Sequence, residues 1–188
     1  MIVPLTSLWA PILLSAVFVF VLSSIIHMAL GYHANDYRKL PAEDEAMAAL
    51  RKLSIPPGDY FIPKASSHKD MKNPEFLKKV ELGPLGSMTI LPPSGFAMGK
   101  RLVGWFLYSI VVGFVAAHVA GTTLPPGTPY KLVFHTVALT AFAGYALALW
   151  QSPIWKGTKV STTIKATFDG LLYALLTAGT FGWLWPRY

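Results

Sequence analysis

The residues of this sequence that could do chemistry are three histidines and one aspartate inside or at the edge of long apolar stretches. They are His27, His118, His135 and Asp169. Ionisable side chains at membrane depth cost free energy, and they commonly mark sites for ions, protons or cofactors. Their positions group them into two pairs with different chemistry.

His118 and His135 form the first pair. His118 precedes Gly121 by three residues and His135 follows Lys131 by four. Both therefore lie about 5 Å inside the same end of neighbouring helices, at a rise of ~1.5 Å per residue. Two imidazoles at equal depth could axially ligate haem b. Each lies about 100° from the small-residue face of its helix, which favours a structural role at the interface instead.

His27 and Asp169 form the second pair, near the opposite ends of their helices. His27 shares a helix face with Ser23 and Gly31, which predicts that it faces the interior of a bundle. A contact between His27 and Asp169 could bind a proton or a small cation. The alternative is that Asp169 lies at the water boundary and His27 bonds a backbone or hydroxyl group.

Polar residues continue beyond both members of this second pair. Along the fourth span Asp169 is followed by Tyr173 and, further on, by the hydroxyls of Thr177 and Thr180, which could pass a proton along. Just after the first span, three residues could join either version of the site: His33, Asp36 and Tyr37.

Four apolar stretches must position these residues. About 20 mostly apolar residues cross a bilayer as a helix, and the sequence predicts such helices within residues 1–32 and at 102–120, 132–150 and 165–185. In lipid each backbone amide must be satisfied within its own segment, as a helix does. The expected fold is an all-α membrane protein, a bundle of four transmembrane helices, with residues 101–188 forming a three-helix region.

Charge supports this assignment and predicts its orientation. Only 13% of the 188 residues are charged, there is no cysteine, and the net charge is +7. Soluble domains carry about 25% charged residues, and an even number of spans places 14 of the 16 Lys and Arg residues on one side. The positive-inside rule makes that side cytoplasmic and both termini periplasmic. Basic character therefore indicates topology, and no nucleic-acid partner is expected.

Small residues recur every four positions on one face of the spans, where they let helix backbones approach closely. Simple folding of the bundle explains these faces, and docking of a partner helix is the alternative. The residues predicted to pack helices together are Ser109, Gly113, Ala117, Gly144, Gly170, Ala174, Ala178 and Gly182.

The segment 33–100 is predicted to be a small α+β cytoplasmic insertion between the first two spans. Residues 41–53 begin with acids and end with bases, which suits a helix. Asn73 followed by Pro74 predicts a second short helix, and alternation near 80–91 predicts a β-hairpin. So small a unit should dock on the spans or on another protein.

Two segments carry a resemblance to a known group of proteins. They are Phe168–Tyr173 with Thr177–Arg187, and Ser23–Met28 with Asp36–Lys39. Together they resemble a family of short uncharacterised bacterial four-helix integral membrane proteins with no assigned activity. The resemblance implies a bacterial inner-membrane protein and supplies no catalytic residues.

The sequence contains no phosphate loop, nucleophile elbow or HExxH motif, so it predicts neither catalytic residues nor a metal site. Nothing in this chain argues for an enzyme, although another chain could complete a catalytic site. The leading hypothesis is a non-catalytic accessory or scaffold subunit of a larger membrane complex, whose partners are the lipid bilayer and other membrane proteins. The alternatives are a haem- or redox-carrying subunit using His118 and His135, and a small proton-coupled carrier using His27 and Asp169.

Overall fold

The computed structural model describes residues 2–93 and 97–188, which divide into two compact units. The first unit contains the residues up to Asp36, Met98–Ile154 and Thr158–Tyr188, and the second contains Tyr37–Ala97 and Trp155–Gly157. The described residues form the helices α1 (Trp9–Met28), α2 (Glu43–Lys52), α3 (Pro74–Leu82), α4 (Met98–Thr123), α5 (Tyr130–Tyr145), α6 (Gln151–Lys156) and α7 (Val160–Trp183), and the strands β1 (Gly58–Ile62) and β2 (Gly86–Ile90).

Three helical stretches are long and apolar enough to cross a membrane. They are α1, α4 and the stretch Tyr130–Lys156, which runs from α5 through α6. The chain is mostly helical, and these three stretches are compatible with a multi-pass membrane protein. The helix α7 has 24 residues, but Lys165 and Asp169 lie within it, and it does not belong to these three.

The third predicted helix, 132–150, differs from the observed one. α5 ends at Tyr145 and a 3-10 turn follows at Leu147–Trp150. Gly170 of α7 lies against this point, since a Cβ added to it would be 2.9 Å from the Cβ of Ala146 and 3.2 Å from the carbonyl oxygen of Tyr145. The α-helix α5 thus ends at a close contact with the backbone of α7.

The small residues of the helices lie between the helices of this chain. A Cβ on Gly113 would touch the backbone of Ile12 in α1 at 3.5 Å, and one on Gly182 would be 2.6 Å from the ring of Tyr130. The residues Ser109, Ala117, Ala174 and Ala178 are buried, and Gly144 is half-buried against Val112. Close packing of this kind holds helices together where no hydrophobic effect separates protein from lipid.

Backbone hydrogen bonds join the segments at the end of the first unit where α1 begins and α7 ends. The amides of Ile2 and Val3 both donate to the carbonyl of Gly121 at 2.8 Å. In the connection from α4 to α5, the amide of Gly127 donates to the carbonyl of Pro186 at 2.8 Å. The indole of Trp185 donates to the carbonyl of Pro125 at 3.0 Å. This end is therefore formed by segments distant in sequence.

The second unit contains α2, α3 and a two-stranded antiparallel sheet. Asn73 caps α3, because its side-chain oxygen accepts a hydrogen bond from the amide of Glu75 at 3.0 Å. The hairpin predicted near 80–91 is wrong: Val80 and Leu82 end α3, and β2 pairs with β1 from Gly58↔Ile90 to Ile62↔Gly86. The apolar residues of α3 have helical spacing, which overrides the local alternation.

Candidate functional site

The candidate site lies where the chain leaves α1 and meets α7. The helix α1 ends with the amides of Ala29 and Leu30 donating to the carbonyl of Ile25. Gly31 then adopts a left-handed conformation with φ +64°, which a residue with a Cβ rarely adopts. This turn directs the following residues, from Tyr32 to Asp36, towards the first half of α7.

His33 is the centre of the hydrogen-bond network. Its Nδ1 lies 2.6 Å from Oδ2 of Asp36, and its Nε2 lies 2.8 Å from Oδ2 of Asp169. Both ring nitrogens thus face carboxylate oxygens, and an imidazole held from both sides has a fixed orientation. The site joins a residue of the turn after α1 to a residue of α7, 136 positions later.

Lys165 closes the network on the Asp36 side. Its Nζ lies 2.8 Å from Oδ1 of Asp36 and donates to the carbonyl of Tyr32 at 2.6 Å. Hydrogen bonds from Lys165 and then from His33 lower the pKa of the Asp36 carboxyl below its ordinary value of 3.8. Asp36 is therefore ionised at neutral pH, and Lys165 neutralises its charge.

Asp169 is the most deeply buried acid of the site, with 3% of its surface exposed. The hydroxyl of Tyr32 donates to its Oδ1, and its Oδ2 faces His33. A buried carboxylate is tolerated when its oxygens are hydrogen-bonded and its charge has a partner. Each oxygen of Asp169 has a hydrogen-bond partner, and both partners belong to the turn after α1.

His27 completes the cluster but does not face the interior of the bundle as predicted, because its side chain is exposed. Its ring packs on the ring of His33, with 4.5 Å between the centroids. One ligand atom from each of His27, His33 and Asp169 lies within 4.8 Å of the others. The structure thus brings the second predicted pair into one cluster, with His33 as the third member.

The polar residues predicted to pass a proton along α7 from Asp169 do not form a continuous hydrogen-bond network. Tyr173 is buried beside the rings of Trp105 and Tyr145, and its hydroxyl has no hydrogen-bond partner among the described residues. The hydroxyls of Thr177 and Thr180 instead donate to carbonyls of their own helix. No chain of side-chain hydrogen bonds among the described residues leads from Asp169 along α7.

His118 and His135 are not part of this cluster. Both side chains are exposed on their helices. Within residues 2–93 and 97–188, His135 has a ring contact with Phe134, and no hydrogen bond or ring contact joins it to His118. The structure therefore leaves the two proposed haem ligands on the surface of the first unit.

Reasoning from the sequence missed two members of the site. Tyr32 follows the predicted span directly, and Lys165 precedes Asp169 by four residues, a spacing that places both on one face of α7. The spacing of Lys165 and Asp169 could therefore have identified Lys165 from the sequence. Tyr37, which was predicted to join the site, is instead 91% exposed.

Comparisons with known proteins do not extend this description. No family model matches the chain, and neither the curated proteins nor the solved structures include a match to it.

Proposed function

We propose that this chain is an integral protein of the bacterial inner membrane with four spans, both termini periplasmic and the segment 33–100 cytoplasmic. The distribution of residues on α7 supports a fourth span. Exposed apolar residues follow one helical stripe, formed by Ile164, Phe168, Leu171 and Leu175. The polar residues Asp169 and Thr177 are buried on the other side, as expected for a helix whose apolar face contacts lipid.

We further propose that the protein binds a small cation at the cluster of His27, His33 and Asp169, and that carrying or relaying this cation is its function. One observation carries the proposal: Asp169 is buried, the Tyr32 hydroxyl orients it, and two imidazoles lie beside it. Structural ion pairs rarely need two adjacent histidines, whereas cation sites use such groups as ligands.

Ligand-dependent stability tests this proposal. Tag-free protein in mild detergent is unfolded thermally in the presence of Na⁺, Mg²⁺, Ca²⁺, Mn²⁺ or Zn²⁺ after treatment with a chelator. A cation that binds the native state raises the unfolding temperature, by an amount set by its concentration relative to its Kd. Asp169→Asn should abolish the increase, and Asp44→Asn, in exposed α2, should keep it.

Flux measurements with the same variants in proteoliposomes separate a carrier from a protein that only binds. A carrier loses flux in Asp169→Asn and keeps it in Asp44→Asn. If no cation of the panel changes the stability of the folded protein, the cation site is wrong.

A second candidate function is the accessory or scaffold subunit, and the second unit favours it. No residue described between Tyr37 and Pro93 is buried, and large apolar side chains there are exposed, Leu53, Phe61 and Leu82 among them. A unit without buried residues gains little stability from its own packing, so a partner protein would supply the missing contacts. The small-residue faces do not add to this argument, since they pack within the chain.

Extraction in mild detergent tests the accessory role. Another membrane protein that co-purifies specifically, and no longer does so when residues 43–90 are removed, supports this role. A monomer without a co-purifying protein contradicts it.

An absorption spectrum of the same sample tests haem at His118 and His135, which would produce a Soret band that the His118→Ala variant lacks.

A further inference from the structure

We propose that His27, His33 and Asp169 coordinate a divalent transition metal ion of the Zn²⁺ and Fe²⁺ class. This inference rests on the proposed cation site and names its ligand. The donor set is two imidazole nitrogens and one carboxylate oxygen, within 4.8 Å of one another. Metal–ligand bonds of about 2.0–2.2 Å place such donors about 3.3–3.5 Å apart. An ion would therefore separate Nε2 of His33 from Oδ2 of Asp169, now 2.8 Å apart, and would draw the imidazole of His27 towards them.

The orientation of His33 is the first independent support for a metal. Its Nδ1 faces Asp36 at 2.6 Å, and Lys165 in turn holds Asp36. Histidines that bind metals characteristically donate the N–H of one ring nitrogen to a carboxylate, which leaves the other nitrogen free to coordinate. Here that second nitrogen, Nε2, faces Asp169 and the centre of the cluster.

The surroundings of Asp169 are the second support. The Tyr32 hydroxyl donates to Oδ1, whereas Oδ2 faces the ligand nitrogen of His33. Carboxylates that bind metals are commonly hydrogen-bonded through the oxygen that does not coordinate. Each buried or half-buried member of the donor set therefore has its own orienting partner, Asp36 for His33 and Tyr32 for Asp169.

His27 separates a metal site from a purely ionic network. The ion pairs of Lys165, Asp36, His33 and Asp169 are complete without it. Among the described residues its imidazole has no hydrogen-bond partner, and it lies with its ring centroid 4.5 Å from that of His33. The ion-pair network does not need the imidazole of His27, whereas a bound metal ion would use it as a third ligand.

The donor types indicate which ions fit. Ca²⁺ and Mg²⁺ prefer oxygen ligands, whereas imidazole suits Zn²⁺, Fe²⁺ and similar ions. Three protein ligands also leave a coordination position open, as in metal sites that exchange ligands, rather than the four ligands of a closed structural zinc site. The cluster thus fits an ion that keeps one coordination position for water or another small ligand.

A Co²⁺ titration tests the inference, because Co²⁺ is a coloured substitute for Zn²⁺ with visible absorption that depends on its ligands. Full-length tag-free protein in detergent is stripped with a chelator, dialysed and titrated with CoCl₂. We expect one Co²⁺ per chain with d–d bands, and displacement of these bands by stoichiometric ZnCl₂.

Three variants and one control assign the site. His27→Ala removes an exposed ligand without opening the core, and it should weaken Zn²⁺ binding at least about 10-fold. Asp36→Asn, which replaces the carboxylate that orients His33, should weaken Zn²⁺ binding about 10- to 100-fold. Asp169→Asn should also lose the Co²⁺ bands. His118→Ala removes an equally exposed imidazole elsewhere in the bundle and should bind as the unaltered protein does.

Two results overturn the inference. Folded protein that binds no Co²⁺ or Zn²⁺ has no such site, and binding unchanged in folded His27→Ala places the metal elsewhere. The broader proposal of a cation site can survive these results. It fails only if, in addition, no cation of the panel raises the unfolding temperature in a way that depends on Asp169. Since His27 is exposed, its variant decides the question even where replacement of His33 or Asp169 prevents folding.

Discussion

Nε2 of His33 lies 2.8 Å from Oδ2 of Asp169 and joins the turn after α1 to the first half of α7. The contact is the centre of a network in which two carboxylates face one lysine and one histidine. Because these four groups come from two distant parts of the chain, the network is both the candidate site and a tertiary contact. Its members should therefore influence stability as well as cation binding.

Tyr32→Phe should destabilise the protein. The change removes the hydroxyl that donates to Asp169 and leaves one oxygen of a buried carboxylate without its partner. Hydrogen bonds to charged groups contribute about 1.5–3 kcal/mol, so we expect a loss of that size in thermal or denaturant unfolding in detergent.

Tyr37→Phe is the matched control for Tyr32→Phe, since the Tyr37 side chain is almost fully exposed. It should change the free energy of unfolding by less than about 0.5 kcal/mol. Equal effects of the two variants would show that the Tyr32 hydroxyl does not support Asp169.

Lys165→Met should destabilise the metal-free protein at neutral pH by about 1 kcal/mol, because Lys165 neutralises Asp36 but remains partly in contact with solvent. The folded pKa of Asp36 lies below its ordinary value of 3.8. Its ionic stabilisation is therefore complete well above pH 3.8 and is lost as the pH falls through the lower, folded pKa.

The difference in unfolding temperature between Lys165→Met and the unaltered protein should consequently shrink from pH 7 towards pH 3. Chelator in all samples excludes a contribution from metal. A difference that stays constant across this range would contradict the assigned ion pair.

Gly170→Ala should destabilise the bundle by about 1–3 kcal/mol, the usual cost of overpacking. The new Cβ would lie 2.9 Å from the Cβ of Ala146 and near the backbone of Tyr145. Gly104→Ala is the control, because a Cβ there meets no atom within 4 Å. Alanine favours a helix over glycine, so Gly104→Ala should be neutral or slightly stabilising.

Cysteine labelling should distinguish three spans from four. The sequence has no cysteine, so Ser66→Cys, Thr128→Cys and Tyr188→Cys each introduce a single thiol. With four spans, a membrane-impermeant maleimide added to spheroplasts should label the cysteines at 128 and 188 and spare that at 66. If α7 does not cross, the cysteines at 66 and 188 should behave alike.

The helical character of the chain follows from its sequence because long apolar runs have few alternatives in lipid. α1 and α4 were located by this argument, and Asn73 was identified as a cap from its type and from Pro74. The pairing of β1 with β2 was not predictable, because the two strands are separated by α3 and local alternation does not specify a distant partner.

The candidate site was predictable only in part, for a similar reason. His27 and Asp169 were selected because ionisable groups are rare in apolar helices. The role of His33 depends on the left-handed turn at Gly31, which redirects the chain after α1. No periodicity rule describes such a turn, so neither the contact of His33 with Asp169 nor the position of Lys165 beside Asp36 follows from spacing alone.

The hydrogen bond from Trp185 to the carbonyl of Pro125 has a consequence for biosynthesis. Its two partners are 60 residues apart, and at about 5–20 residues per second the ribosome makes the second about 3–12 s after the first. The connection from α4 to α5 is therefore made seconds before its partners at Trp185 and Pro186 exist. During that interval the carbonyl of Pro125 and the amide of Gly127 are without the partners that they have in the folded chain.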